Sequence, residues 1–298
     1  MSEQDKLNML AEYLGFLKSE QKLDIVVFDR SGMFATHDTL DRVLQPYLNH
    51  TNPYCMHVKS NQTLWAHCII LKERVLQRCS RHNQAFFGTC HCGVGEYVQP
   101  LWTRTGLTGF ISATGYRAEP DLVAWRLPAT ARKYNLDADS LQSIYDQAMR
   151  PREGKPQQVG MQLSLLAWLL RAIVDETLTQ DNTLTSDQGQ PLRLIARALD
   201  YINEMYANNL TLEEIARYCN CSKSHLQHLF QTHRRQTVWQ YLQAVRMEKA
   251  RRLLVETEWP ISHLAAMIGF NDANYFSTVF SRKIGLSPRR YRQMNRAE

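Results

Sequence analysis

Two stretches near the C-terminus decide the fold: LTLEEIARYCNCSKSHLQHLFQTHRRQTVWQYLQ (210–243) and WPISHLAAMIGFNDANYFSTVFSRKIGLSPRRYRQ (259–293). They are two copies of one pattern. Leu212, Ile215 and Ala216 match Ile261, Leu264 and Ala265, and Leu226, Phe230, Thr237 and Tyr241 match Phe276, Phe280, Ser287 and Tyr291. In the first copy Thr211 and Glu214 form a capping-box pattern, and Leu212, Ile215, Ala216 and Cys219 make one apolar stripe. Asn220-Cys221 is the turn. Ser222 is the expected N-cap of a second helix, through Thr232, with Leu226, Leu229 and Phe230 on its inner side. In the second copy Pro260 opens a helix, Gly269 makes the turn, and Asp272 or Asn271 caps a helix through Ile284. Both copies predict a helix-turn-helix, whose second helix suits a major groove.

Between the copies, Thr237 to Glu256 places Trp239, Leu242, Val245, Met247, Ala250, Leu253 and Leu254 at helical spacing. Such a rod is roughly 30 Å long, close to one duplex turn of about 34 Å. Charge points the same way. The first 190 residues hold 19 Lys and Arg against 20 Asp and Glu; the remaining 108 hold 16 against 9. The excess positive charge is therefore confined to the repeat-bearing part, as a polyanion-binding module requires.

The faces opposite the two apolar stripes are the candidate base readers: Ser224, His225, Gln227, His228 and Gln231, then Ala273, Asn274, Ser277, Thr278 and Ser281. Gln or Asn pairs with adenine, His donates to guanine, and small residues touch thymine methyl groups. The candidate phosphate contacts are Lys223, Arg234, Arg235, Arg282, Lys283, Arg289 and Arg292. No Arg stands centrally on either outward face, so DNA shape and phosphates are expected to carry much of the affinity.

EEIA, SKSHLQHLF, YLQAVRMEKARRLL, IGFNDANYFSTVFSRKIGLSP and YR, within about 195–294, resemble the AraC/XylS family of transcription regulators. The resemblance implies an all-α domain with two helix-turn-helix units, double-stranded DNA as partner, homodimers, and RNA polymerase contact if the protein activates. Arg235 departs from the family, which usually has Gly there; Gly285 keeps it in the second copy. An enzyme reading has a precedent in the DNA-repair methyltransferase that joins a zinc-bound cysteine to such a domain. Its C-x3-C and C-x2-C spacings are absent, as are G-x-S-x-G, H-E-x-x-H and G-x-x-x-x-G-K-[ST] strings, and no enzyme is expected.

The preceding residues predict a different architecture. A helix is expected over 4–20, a strand over Asp24–Asp29, helices over Thr39–Leu48 and Trp65–Phe87, and strands over Glu96–Leu101 and Gly106–Thr114. The order predicts an α+β fold with an antiparallel sheet, as in PAS and GAF sensors, spanning 1–118. Cys55, Cys68, Cys79, Cys90 and Cys92 cluster here with His91. Only Cys90-His91-Cys92 is closely spaced, so zinc or iron–sulfur ligation, a thiol switch, and plain packing or lining of an organic pocket all stay open.

NPYCMHV, CHCGVGEYVQPLW and GLTGFISATGY, over about 5–117, resemble the PocR-type sensory domain. That resemblance implies a small organic effector, such as a diol, with Cys90, His91, Glu96 and Trp102 as lining residues. Cys92 and Ala113-Thr114-Gly115-Tyr116 depart from the family pattern.

Residues 119–190 are expected to connect the halves, with a helix over Leu141–Met149, a break at Arg150–Pro156 and a strong helix over 159–178. Leu163, Leu166, Leu169, Leu170 and Ile173 of that helix either pack on the sensor or pair with a second copy, the second being the favoured expectation, and Thr179–Pro191 is expected to act as a hinge before a DNA-binding domain at 191–298. No run approaches the roughly 20 apolar residues of a membrane span, and the N-terminus shows no signal-peptide pattern. The expectation is a cytoplasmic activator controlled by an organic effector, with a cysteine-based metal or redox sensor as the alternative.

Overall fold

The computed structural model describes residues 2–34, 37–50, 52–59, 61–81, 84–152, 156–180 and 189–295. The chain divides into two units, Met1–Ala196 and Arg197–Glu298. The expected hinge falls mostly on 181–188, outside the described residues.

The first unit is built on a four-stranded antiparallel sheet in the order β1-β4-β3-β2. Its strands are β1 (Asp24–Asp29), β2 (Phe86–Thr89), β3 (Val94–Thr103) and β4 (Gly106–Arg117). A Cβ on Gly109 would lie 1.9 Å from the Phe28 carbonyl, so only glycine lets β4 approach β1 there. On one face, α1 (Glu3–Ser19) and α7 (Pro156–Gln180) cover Ile25, Val27, Ile111 and Ala113. Helix α1 starts at a capping box between Ser2 and Asp5 and buries Leu7, Leu10, Leu14 and Leu17. Those leucines recur every three or four residues, the spacing that puts them on one stripe. On the other face, α4 (Gln62–Arg81) packs Leu76 and Cys79 against Phe28, Val98 and Phe110.

A third cluster joins α3 (Pro53–Lys59), α5 (Pro120–Tyr134) and α6 (Ala138–Ala148) to the start of β3. Tyr54 and Tyr145 meet edge to face at its centre, and their hydroxyls donate to the Cys92 and Gly93 carbonyls (2.8 and 2.9 Å).

Several expectations are corrected here. The helix expected through Phe87 ends at Arg81, and Phe86–Thr89 is a strand paired with β3. Helix α2 (Asp38–Leu44) gives way to a 3-10 turn at Gln45–Tyr47, because Pro46 interrupts the α-helical ladder. The described residues of 119–190 form no separate connector: α5 and α6 complete the third cluster and α7 lies on the sheet. The face of α7 assigned to a second copy is buried inside the unit, since Leu163, Leu166, Leu169, Leu170 and Ile173 all join the main core. Among the described residues of α7, the exposed large apolar ones are Met161, Leu165 and Trp168.

The second unit comprises the end of α8 (Gly189–Met205), then α9 (Leu212–Tyr218), α10 (Lys223–Arg234), α11 (Val238–Glu256), α12 (Ile261–Met267), α13 (Ala273–Ile284) and α14 (Pro288–Asn295). The two copies are α9–α10 and α12–α13, either side of α11 in sequence. Helix α11 buries Tyr241, Leu242, Val245, Met247, Ala250, Leu253 and Leu254. Trp239, expected among that set, is exposed. Among the described residues no helix is long and apolar enough to cross a membrane.

Candidate nucleic-acid interface and N-terminal polar cluster

Both outer helices of the repeat are fixed at each end by their own sequence. For α10 the Ser222 hydroxyl accepts from the His225 amide (3.2 Å), and the Arg235 amide donates to the Gln231 carbonyl (3.1 Å). For α13 the Asp272 carboxylate accepts from the Tyr275 amide (2.5 Å), and the Gly285 amide donates to the Ser281 carbonyl (2.9 Å). Both C-caps are left-handed, with φ +49° at Arg235 and +82° at Gly285. The family's glycine position is thus geometrically real in both copies. Arg235 occupies it at the cost an L side chain incurs at positive φ, about 1 kcal/mol.

The inner sides, Leu226, Leu229 and Phe230 on α10 and Phe276 and Phe280 on α13, are buried. Ser224, His225, Gln227, His228 and Gln231 are exposed, as are Asn274 and Thr278; Ala273, Ser277 and Ser281 are half-buried. On α13 the hydroxyls of Ser277, Thr278 and Ser281 donate to the carbonyls of Ala273, Asn274 and Ser277 (2.8, 2.9 and 2.7 Å). Their protons are therefore occupied, which leaves lone pairs and the Thr278 methyl for an outside partner. The 19 residues of α11 span about 28 Å.

The basic residues separate into two groups. Arg235, Arg282, Lys283 and Arg289 are exposed, and Lys223 is exposed but ion-paired with Glu213. Arg292 is half-buried: its guanidinium donates to the Leu254 (3.2 Å) and Trp259 (2.6 Å) carbonyls, tying α14 to α11 and the segment that follows it. Arg234 is half-buried with its guanidinium 5.6 Å from the centre of the Tyr241 ring. The sequence reading missed Tyr275 and Arg290, both exposed on the same elements. Tyr275 stands next to buried Phe276, a signal that was present in the pattern.

In the first unit the four expected effector-lining residues divide: Cys90 and Glu96 lie near each other, while His91 and Trp102 have other neighbours. Cys90 sits in the β2–β3 turn, where its thiol accepts from the Cys92 and Val94 amides (3.3 and 3.4 Å) and its carbonyl from the Gly93 amide (3.1 Å). Glu96 is buried on β3, its carboxylate 3.9 Å from His50 Nε2. Burial pushes Glu96 up to about 7, opposed by the Ser112 hydroxyl. His91 belongs to another environment, its ring 5.7 Å from that of His67. Burial and then His67 push it down to about 4, so it is neutral at physiological pH. Trp102 lies six residues beyond Glu96 on β3, past a register shift, or roughly 20 Å along a strand.

Burial pushes the thiols of Cys79 and Cys90 up to about 11, and those of Cys55 and Cys92 higher. Cys79 lies in a different core cluster from Cys55 and Cys92. Cys68 Sγ is 4.0 Å from His91 Nε2 and Cys55 Sγ 4.0 Å from His50 Nδ1. Among the described residues no three His, Cys, Asp or Glu side chains come together as a metal would need.

The chain matches the helix-turn-helix domain family over residues 215–294. It is 35% identical over 99 residues to the bifunctional transcriptional activator/DNA repair enzyme AdaA of Bacillus subtilis, covering 33% of this chain and 47% of that protein. It is 23% identical over 261 residues to the regulatory protein PocR of Salmonella typhimurium, covering 81% of this chain and 82% of that protein. The C-terminal domain of AraT, a response regulator from Geobacillus stearothermophilus, is 35% identical with a TM-score of 0.33, over 34% of this chain and 84% of that one. Several other curated relatives, like AdaA, are matched over about half of their length or less. Residues 215–294 thus form a helix-turn-helix domain of the AraC type.

Proposed function

We propose that the protein is a transcription regulator that binds two successive major grooves through α10 and α13 and is controlled by a small organic effector in its N-terminal unit. The observation that carries this reading is the pair of capped helices with buried inner faces and polar outer ones, flanking a rod close to one duplex turn in length. Base contacts fall to His225, Gln227, His228, Gln231, Asn274 and Thr278, with Ser224, Ala273 and Ser277 contributing shape. Phosphate contacts fall to Lys223, Arg235, Arg282, Lys283 and Arg289. The similarity to PocR along most of the chain supports the effector reading, and a PAS/GAF-like fold suits the antiparallel sheet with helices on both faces. AdaA is named an activator, which supports activation through RNA polymerase. Met161, Leu165 and Trp168 on α7 are the surface proposed for a homodimer.

The test is fluorescence anisotropy of the full chain on random-sequence duplexes, followed by selection of preferred sites. Binding that weakens steeply with salt, and enriched sites with two half-elements about one helical turn apart, are expected. No affinity for duplex DNA at low salt would overturn the proposal.

A further inference from the structure

Helices α4 and α5 leave between them an open cleft of about 500 Å³, a size suited to a small molecule rather than a macromolecule. Its walls follow from helical spacing. Leu64, His67, Leu71 and Arg74 recur at steps of three or four on α4, and Trp125, Ala129 and Lys133 at steps of four on α5. Small Ala129 leaves room opposite the leucines. Trp125 lines the cleft while remaining 67% exposed, and Ile70 does so at 52%. A large indole left in water at the rim of a pocket is a surface available to a flat partner.

The charge in the cleft is one-sided. Arg74, Arg126 and Lys133 line it, and none of its lining residues is an Asp or Glu. Among the described residues no carboxylate pairs with any of the three. Arg126 is held in place by donating to the Cys90 carbonyl (2.6 Å), which anchors one cation at the inner end. His67 and Tyr134, 3.1 Å apart, and the neutral His91 add hydrogen-bonding groups without adding negative charge. Three cations beside an apolar wall complement an anion with an apolar body, because guanidinium groups bind carboxylates bidentately and planar rings stack on indole.

We propose that the α4–α5 cleft is the effector site and that it takes a small organic anion with a flat apolar body, of the aromatic carboxylate class. This rests on the effector reading above and gives it a place and a chemistry.

The test is calorimetric titration of the full chain with 2-naphthoate, 2-naphthalenemethanol and 2-naphthylmethylamine, which share a ring system and differ in charge. Saturable naphthoate binding at least tenfold tighter than the alcohol, with the amine weakest, is expected. The double variant Arg74→Gln, Lys133→Gln alters two exposed side chains and should weaken naphthoate at least tenfold while leaving the circular dichroism spectrum unchanged. Trp125→Ala, a second variant at an exposed position, should weaken naphthoate and the alcohol alike. Absence of saturable naphthoate binding, equal binding of all three probes, or unchanged naphthoate affinity in both variants would overturn the proposal. Duplex anisotropy without any probe reads the DNA arm separately, so failure there and failure here are distinguishable.

Discussion

The guanidinium of Arg246 fills the space that a side chain on Gly269 would need: a Cβ there would lie 2.8 Å from Arg246 Nη2 and 2.9 Å from the Ala207 and Tyr206 carbonyls. Gly269 is also at φ +86°. The buried arginine donates to the Tyr206 and Asn208 carbonyls (2.8 and 2.9 Å). One cation thus joins the segment after α8, the rod α11 and the turn of the second copy. Arg246→Met should remove one donor from each of those carbonyls and cost about 2–4 kcal/mol. Gly269→Ala should cost about 1–3 kcal/mol through strain and overlap. Urea unfolding followed by circular dichroism checks both; midpoints unchanged from wild type would show that the clamp is not structural.

Arg235 separates stability from binding. Arg235→Gly should relieve the left-handed strain and stabilise the second unit by up to about 1 kcal/mol. If Arg235 contacts a phosphate, the same change should weaken DNA binding and lower the salt slope by about 1. A more stable protein with an unaltered slope would remove Arg235 from the interface.

Arg289 and Arg292 are three residues apart and are expected to differ. Arg289→Ala should weaken binding uniformly across sequences and flatten its salt dependence. Arg292→Ala should instead lower the melting temperature by several degrees, since its partners are the Leu254 and Trp259 carbonyls. Thermal melts beside salt titrations read the two effects. Equal slopes for both variants would contradict the division.

His228→Ala and Asn274→Ala are expected to relax sequence preference more than total affinity, each by about 1–3 kcal/mol of discrimination at one position. Competition between selected and scrambled duplexes measures this. Uniform loss on every sequence would show that these side chains do not read bases.

Glu96 links pH to the stability of the first unit. Its folded carboxyl is raised to about 7 by burial, from an ordinary value of 4.5. A raised acid favours the fold below the unfolded value, and that contribution is lost as pH rises through the folded one. Groups near it include His50 at 3.9 Å, Ser112, and the thiols of Cys79 and Cys90, which stay protonated in this range. Glu96→Gln should therefore raise the melting temperature at pH 8 by a few degrees and change it little at pH 5. Equal shifts at both values would rule out an ionised, buried Glu96 as the cause.

The second unit was legible because its signals are local. The capping box at Thr211 and Glu214, the Ser222 and Asp272 caps and the left-handed turn at Gly269 each act within four residues. The first unit was less so. Phe86–Thr89 is only four residues long, and its strand character comes from pairing with β3, not from its own pattern. Helix α3 spans seven residues around Cys55, too few for a periodic stripe to stand out. The close sequence spacing of Cys90 and His91 suggested one site, yet the turn points them to different neighbours: amides for Cys90, the His67 ring for His91.

By itself the amino-acid order determined the repeat, its caps and its charge, because helix ends and stripes depend on residues within a turn or two of one another. Tertiary packing decided the rest. It turned the leucine face of α7 onto the sheet, folded Arg292 inward, and opened the α4–α5 cleft, whose two walls lie more than fifty residues apart in the chain. Which of two chemically equivalent apolar faces is covered, and which cations stand together without an acid, depends on partners distant in sequence, and no local pattern carries that information.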